Sequence, residues 1–399
     1  MTHSRCVTVL LGALILACGQ SPAPTASGPS GLDIGAPLVP YEAIDLGTLS
    51  DRISAQATAI NNDGQIVGWS ESWQTSQPAH AFLWQDGVML DLGTLGGSTS
   101  RPTDINELGQ VVGQSTAADG MWHPFLWSDG VMHDLHPGAP NFNPSISPRV
   151  NNAGQVVWSG RAVGDQFGPR YAFLWSDGVL TDLVGPRGIV SAINERGQVV
   201  GSIVGGPPFL WENGTVTYLP SLGAWATPGD INDRGQVIGV SQLPSSTTSH
   251  AVLWDDGQIA DLGVLPGDSL SSAAFITQSG LVVGMSLNDV FAGGHPFRWE
   301  RGVLLPMSPT YQADPLFVSI AGVNERGTVA GIRNGGREAV VVENGITWVL
   351  PGLEGSVATR ANGINARGDV VGFVYMDNFA TQRAVLWRRT SVLTAQGSP

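Results

Sequence analysis

Side chains that could do chemistry recur at fixed places along this chain. His80, His123, His250 and His295 each open a short run: HAFLW, HPFLW, HAVLW and HPFRW. Several imidazoles suggest a metal, but zinc ligands must converge to within about 2.0–2.1 Å of one ion. One histidine per unit of a repeat points to separate places, so each is expected to be buried and bonded within its own unit. Asp104, Asp230 and Arg149 stand just before an Ile-Asn or Val-Asn pair. Paired carboxylates about 5 Å or about 6.5–9.5 Å apart would suit glycoside hydrolysis. Elsewhere the same position holds Ala, Gly or Phe, and no serine, histidine and acid constellation accompanies it. Asn61-Asn62-Asp63-Gly64 lacks the spaced carboxylates and distal Glu of a calcium cage. The expectation is therefore no catalytic residue, no metal ligand and no cofactor.

These residues are set in two elements that alternate along the chain. The first reads AINNDGQIVG from Ala59 and returns seven times, for example as DINELGQVVG from Asp104 and AINERGQVVG from Ala192. Its turn glycines are Gly64, Gly109, Gly154, Gly197, Gly235, Gly280, Gly327 and Gly368, spaced 38 to 47 residues apart. The second reads HAFLWQDGVMLDLGTLGG from His80 and HPFLWSDGVMHDL from His123, with six further copies that wear toward the C-terminus. Each pair of elements resolves into four short strands. Asn-x-x-Gly suits a type I turn ending in a left-handed residue. Trp-x-Asp-Gly suits a two-residue type I′ hairpin, with φ > 0 at both central positions. Trp84, Trp127, Trp175, Trp211, Trp254, Trp299 and Trp387 recur once per unit, with Val342 in the seventh copy. A ring repeated in this way predicts packing between units.

Four strands per unit of about 45 residues predict an all-β protein, a propeller of eight four-stranded blades. The inner strands are poor in bulk (RPTDIN, IVSAIN, RANGIN), as crowding at a central axis requires. An extra fourth-strand sequence, AIDLGTL from Ala43, has no blade ahead of it, while the last copy replaces its Asp-Gly turn by Arg388-Arg389-Thr390. The N-terminal strand is therefore expected to close the ring as the outer strand of the final blade, since an open ring leaves an unpaired edge.

Arg5 precedes an 11-residue run, VTVLLGALILA, too short to span a bilayer permanently but suited to a signal peptide. Its end, Ile15-Leu16-Ala17-Cys18, resembles the lipobox of bacterial lipoproteins. That resemblance implies cleavage before Cys18, lipidation of its thiol and membrane attachment, at the outer membrane where the cell has one, because Gly19 is not Asp. The expected organisation is a signal peptide over 1–17, a lipidated Cys18 with a Pro/Gly/Ser tether over 18–40, one propeller over 41–395 and a tail over 396–399. Cys6 and Cys18 are the only cysteines, so the propeller carries no disulfide. The net charge of −14, with 19 basic residues that are all Arg, offers no basic stripe for nucleic acid.

The copies of HAFLWxDGxxxDLGTLGG and xINxxGQVVG resemble the HAF-type extracellular repeat family of bacteria, over about residues 41–395. The resemblance implies export or surface display and a propeller, and it brings no catalytic residues. The functional expectation is a surface-anchored binding or scaffold module whose loops take a glycan or protein ligand. Tryptophans outside the repeat position (Trp69, Trp73, Trp122, Trp158, Trp225 and Trp348) motivate it. Trp73, Trp122 and Trp225 are the candidate ligand surface. The alternative is a propeller hydrolase or lyase acting on glycans through carboxylates at a channel end.

Overall fold

Short β-branched and apolar runs, each stopped by Asn, Asp or Gly, build eight separate four-stranded sheets in the computed structural model. The structure describes residues 39–390 except 73, 75, 137–143, 162–167, 289–292 and 315. The expected signal peptide, Cys18, nearly all of the tether, Trp73 and the tail lie outside the described residues. Blades 1 to 8 occupy 54–91, 96–134, 144–182, 188–218, 226–263, 270–306, 317–349 and 358–389. Blades 1 to 7 run in chain order from innermost to outermost strand; blade 8 takes its outermost strand from the N-terminus.

That strand, β1 (Tyr41–Gly47), pairs antiparallel with the third strand of blade 8, Ala43 opposite Trp387 and Asp45 opposite Val385. The eight-bladed all-β propeller and its closure by an N-terminal strand are thus as the repeat count required. The seam keeps the chemistry of the other blades in altered form. In blades 1, 2 and 5 a histidine Nδ1 meets an Asp carboxylate eleven residues on: His80 with Asp91 at 2.9 Å, His123 with Asp134 at 2.8 Å, His250 with Asp261 at 2.9 Å. In blade 8 Arg383 replaces the histidine and faces Asp45 at 3.8 Å. His295 departs from this pattern and from the expected bond within its own unit: it meets Asp268, in the link between blades 5 and 6, at 3.2 Å.

The turns follow the residues that specify them. Asp129 and Gly130 have φ of 52° and 82°, as a type I′ hairpin needs, and the equivalent pairs of the other six hairpins match. Arg388-Arg389 has no positive φ, because the strand there runs on to pair with β1.

Eight apolar clusters fill the eight interfaces between blades. Each recurring Trp packs in the cluster it shares with the preceding blade: Trp84 beside Ala384 and Leu386, Trp254 beside Val200 and Leu219. Trp84, Trp254 and Trp387 are buried and the other four half-buried. Trp254 and Trp387 also donate Nε1–H to Pro220 and Pro351 carbonyls at 2.7 Å. The interface between blades 6 and 7 is the exception, with Val342 at the Trp position.

Candidate functional site

One end of the ring carries the Asn-x-x-Gly turns and the hairpins; the other carries the loops between second and third strands and the links between blades. At the first end the recurring Asn has two roles. Asn106 Oδ1 accepts the Gln110 and Leu108 N–H groups at 2.9 and 3.1 Å, which shapes its turn. Its Nδ2 donates to Gln110 Oε1 at 2.7 Å and to the Asn151 carbonyl of the next blade at 3.0 Å. Asn61, Asn151, Asn194, Asn232, Asn324 and Asn365 make the same bond to the next blade, and Asn365 returns to Asn61. The belt has one gap. Thr277 of blade 6 uses Oγ1 to accept Leu281 N–H at 3.1 Å and has no amide to offer blade 7.

The turn glycines have a second reason to be Gly. Each has φ > 0, and a Cβ at Gly109 would sit 2.9 Å from Gln65 Oε1 of the preceding blade. In blade 6 Leu281 replaces that glutamine. Thr277, Leu281 and Val342 therefore all fall at the junction of blades 6 and 7.

The inner strands leave a channel, where a cavity of about 730 Å³ is lined by blades 1, 2, 3, 6, 7 and 8. Here the repeat breaks. Every inner strand carries a bulge three residues before its Asn or Thr277. The residue after the bulge, small in four of the blades, is Asp104 in blade 2, Arg149 in blade 3 and Asp230 in blade 5. Asp104 accepts Ile105 N–H at 3.0 Å and Val150 N–H of the next blade at 3.2 Å. Asp230 does likewise with Ile231 at 3.0 Å and Ile276 at 3.1 Å. Burial pushes both carboxyls above the usual carboxylate range. Arg149 and the two backbone donors pull each of them back in part. Both expected channel carboxylates thus tie their blade to the next.

Arg149 itself is exposed on the channel wall, and its guanidinium makes no hydrogen bond or ion pair among the described residues. Blade 3 departs from the others because Trp158 occupies the place of the repeat glycine. At that place in blade 2, a Cβ on Gly113 would lie 2.2 Å from the Arg101 carbonyl. Trp158 is fully buried, and the facing inner strand skips two residues between Ile146 and Arg149. This wider bulge carries Pro148 and Arg149 onto the channel wall.

Toward the loop-bearing end, the Arg101 guanidinium lies 4.8 Å from the centroid of the Trp69 ring and 3.6 Å from Glu71. Arg101 is exposed and Trp69 half-buried. Gln56, Thr103, Gln114 and Asn362 line the same cavity. The amide of Gln114 makes no hydrogen bond among the described residues. Asn362 donates to the Ala57 carbonyl at 2.7 Å, leaving its oxygen toward solvent.

Of the candidate ligand tryptophans, Trp73 lies outside the described residues, and Trp122 and Trp225 lie on different parts of the ring. Trp122 is half-buried at the start of a third strand in blade 2. Trp225 is exposed between blades 4 and 5, beside a separate cavity of about 600 Å³. Trp158 is core. Trp69 is the one member of the set in the channel cavity. Arg101 escaped notice because it sits inside a strand; aligning the eight copies would have found it. Its equivalents are Gln56, Ile146, Ile189, Thr227, Ser272, Ser319 and Arg360.

No family model matches the chain. No curated protein matches it either. Among solved structures it is similar to the β-propeller domain of the trilobed protease from Pyrococcus furiosus, at 11% identity and TM-score 0.52, over 76% of this chain and 97% of that one. That domain has an open velcro topology; here β1 closes the ring. The chain is also similar to an oligogalacturonate lyase from Vibrio parahaemolyticus, at 9% identity and TM-score 0.51, over 87% and 93% of the two chains. At these identities the likeness concerns the fold alone.

Proposed function

We propose that this chain is an exported, lipid-anchored binding module that takes its ligand in the propeller channel. One observation carries the reading. Residues that repeat around the ring are used in turns, belts and blade interfaces, whereas Trp69 and Arg149, whose residue types recur at that place in no other blade, and Arg101, matched only by Arg360, gather around one cavity. A cavity with a few convergent polar groups and one aromatic platform is what small-ligand recognition uses. The two channel aspartates each hold two backbone N–H groups, which favours binding over acid–base chemistry. The N-terminal run and Cys18 support export and anchoring.

The test is a glycan array and a pull-down with the full chain purified in detergent. Retention of a defined glycan or protein without turnover supports the reading. Cleavage of the retained glycan would replace it with the catalytic one.

A further inference from the structure

We propose that the channel cavity is a site for an acidic oligosaccharide, with Arg101 and Arg149 holding its carboxylates; this rests on the binding-module reading. The chain as a whole is acidic, at −14. Two guanidiniums on one channel wall are therefore a local exception. They differ from the other channel residues in a way that matches a planar anion.

Arg101 is held in place before any ligand arrives. Trp69 supports one face of its guanidinium at 4.8 Å, and Glu71 engages one edge at 3.6 Å. Arg101 is otherwise exposed and lines the cavity. A guanidinium fixed against an aromatic ring loses little freedom when it grips a carboxylate in two parallel hydrogen bonds. Arg149 presents a second guanidinium in the same cavity, with no hydrogen bond or close ion pair among the described residues; Asp104 and Asp230 act on it only through their charge. The same cavity is lined by the free Gln114 amide, by Asn362 and Thr58, and by Asp104, whose carboxylate is engaged by two backbone N–H groups. Amides and hydroxyls paired with two spaced cations suit a ligand with many hydroxyls and more than one carboxylate. That chemistry is a uronic acid oligomer. A phosphate or a small tricarboxylate would use the cations and leave the amides idle.

The chain's own repeats supply substitutions that its fold already accepts. Gln56 stands where Arg101 does, and Ala59 and Ala192 stand where Arg149 does. Full-length protein in detergent, wild type and the Arg101→Gln and Arg149→Ala variants, is titrated calorimetrically with trimers of galacturonic and mannuronic acid. Neutral galactose and mannose trimers, citrate and inorganic phosphate are the comparison ligands. At least one uronate trimer is expected to bind about tenfold or more tightly than its neutral counterpart. Each substitution is expected to weaken that binding about tenfold or more, with a cooperative thermal transition retained. Equal affinity for neutral trimers, uronate binding that ignores both substitutions, or preference for citrate or phosphate would each overturn the assignment. A neutral glycan bound independently of both arginines would do so while leaving the binding-module reading intact. No retained ligand on the array or in the pull-down would count against both.

Discussion

Asn106 offers a way to separate the two roles of the repeat asparagine, because the protein contains its own control in Thr277. Replacing Asn106 by Thr should keep the turn, since Thr277 Oγ1 already accepts Leu281 N–H at 3.1 Å in the equivalent place. It removes the 3.0 Å bond to the Asn151 carbonyl and the 2.7 Å bond to Gln110. The Asn151 carbonyl still accepts Gly154 N–H at 3.0 Å, so it is not left bare. The expected loss is about 1–2 kcal/mol, one or two ordinary hydrogen bonds. Asn106→Ala also strips the acceptor from Gln110 N–H beside a side chain that is 5% exposed. An unsatisfied buried donor adds about 1–3 kcal/mol, so the total is about 2–4 kcal/mol. Urea unfolding followed by tryptophan fluorescence, on both variants and wild type, gives the comparison. If Asn106→Thr costs as much as Asn106→Ala, the turn and the belt are not separable. If neither changes stability, the inter-blade bond contributes nothing and the reasoning fails.

Other perturbations follow from the same contacts. Thr277→Asn should complete the belt at the junction of blades 6 and 7 and stabilise by about 1 kcal/mol; a lower urea midpoint would contradict it. Gly130→Val places a β-branched residue at φ 82° and should destabilise by about 1–3 kcal/mol; an unchanged midpoint would argue against a strained hairpin. Asp104 has its folded pKa raised by burial, so the native state binds protons more tightly and this contribution to stability falls as pH rises from the unfolded carboxylate value through the folded one. Asp104→Asn lacks this dependence. Relative to wild type it should therefore look worst at the acid end of that window and improve as pH rises; thermal melts across pH 4–7 that show the opposite trend would refute the assignment.

Much of the architecture was legible in the sequence because the repeat presents each strand and turn eight times. The unmatched Ala43–Leu49 segment and the lost Asp-Gly at Arg388-Arg389 together exposed the closure. The belt was hidden because the turn alone is a sufficient reason for Asn. Its second partner is a backbone carbonyl 45 residues away, which leaves no mark on residue type. Trp158 read as a spare aromatic, yet it stands in place of a glycine and reshapes the facing strand. Trp122 and Trp225 share the loop-bearing end but sit on different blades, and proximity around a ring is not visible in linear spacing. Arg101 and Arg149 become visible when the copies are compared for what differs among them.

Hydrogen–deuterium exchange on the full chain, free and with the strongest binder from the array, tests the placement of the site in the channel most directly. The account predicts ligand-dependent protection of the inner-strand segments 54–60 and 98–105 and of the 66–72 strand that bears Trp69. Protection confined to the Asn-x-x-Gly turns, to the hairpins or to the loop around Trp225 would contradict it.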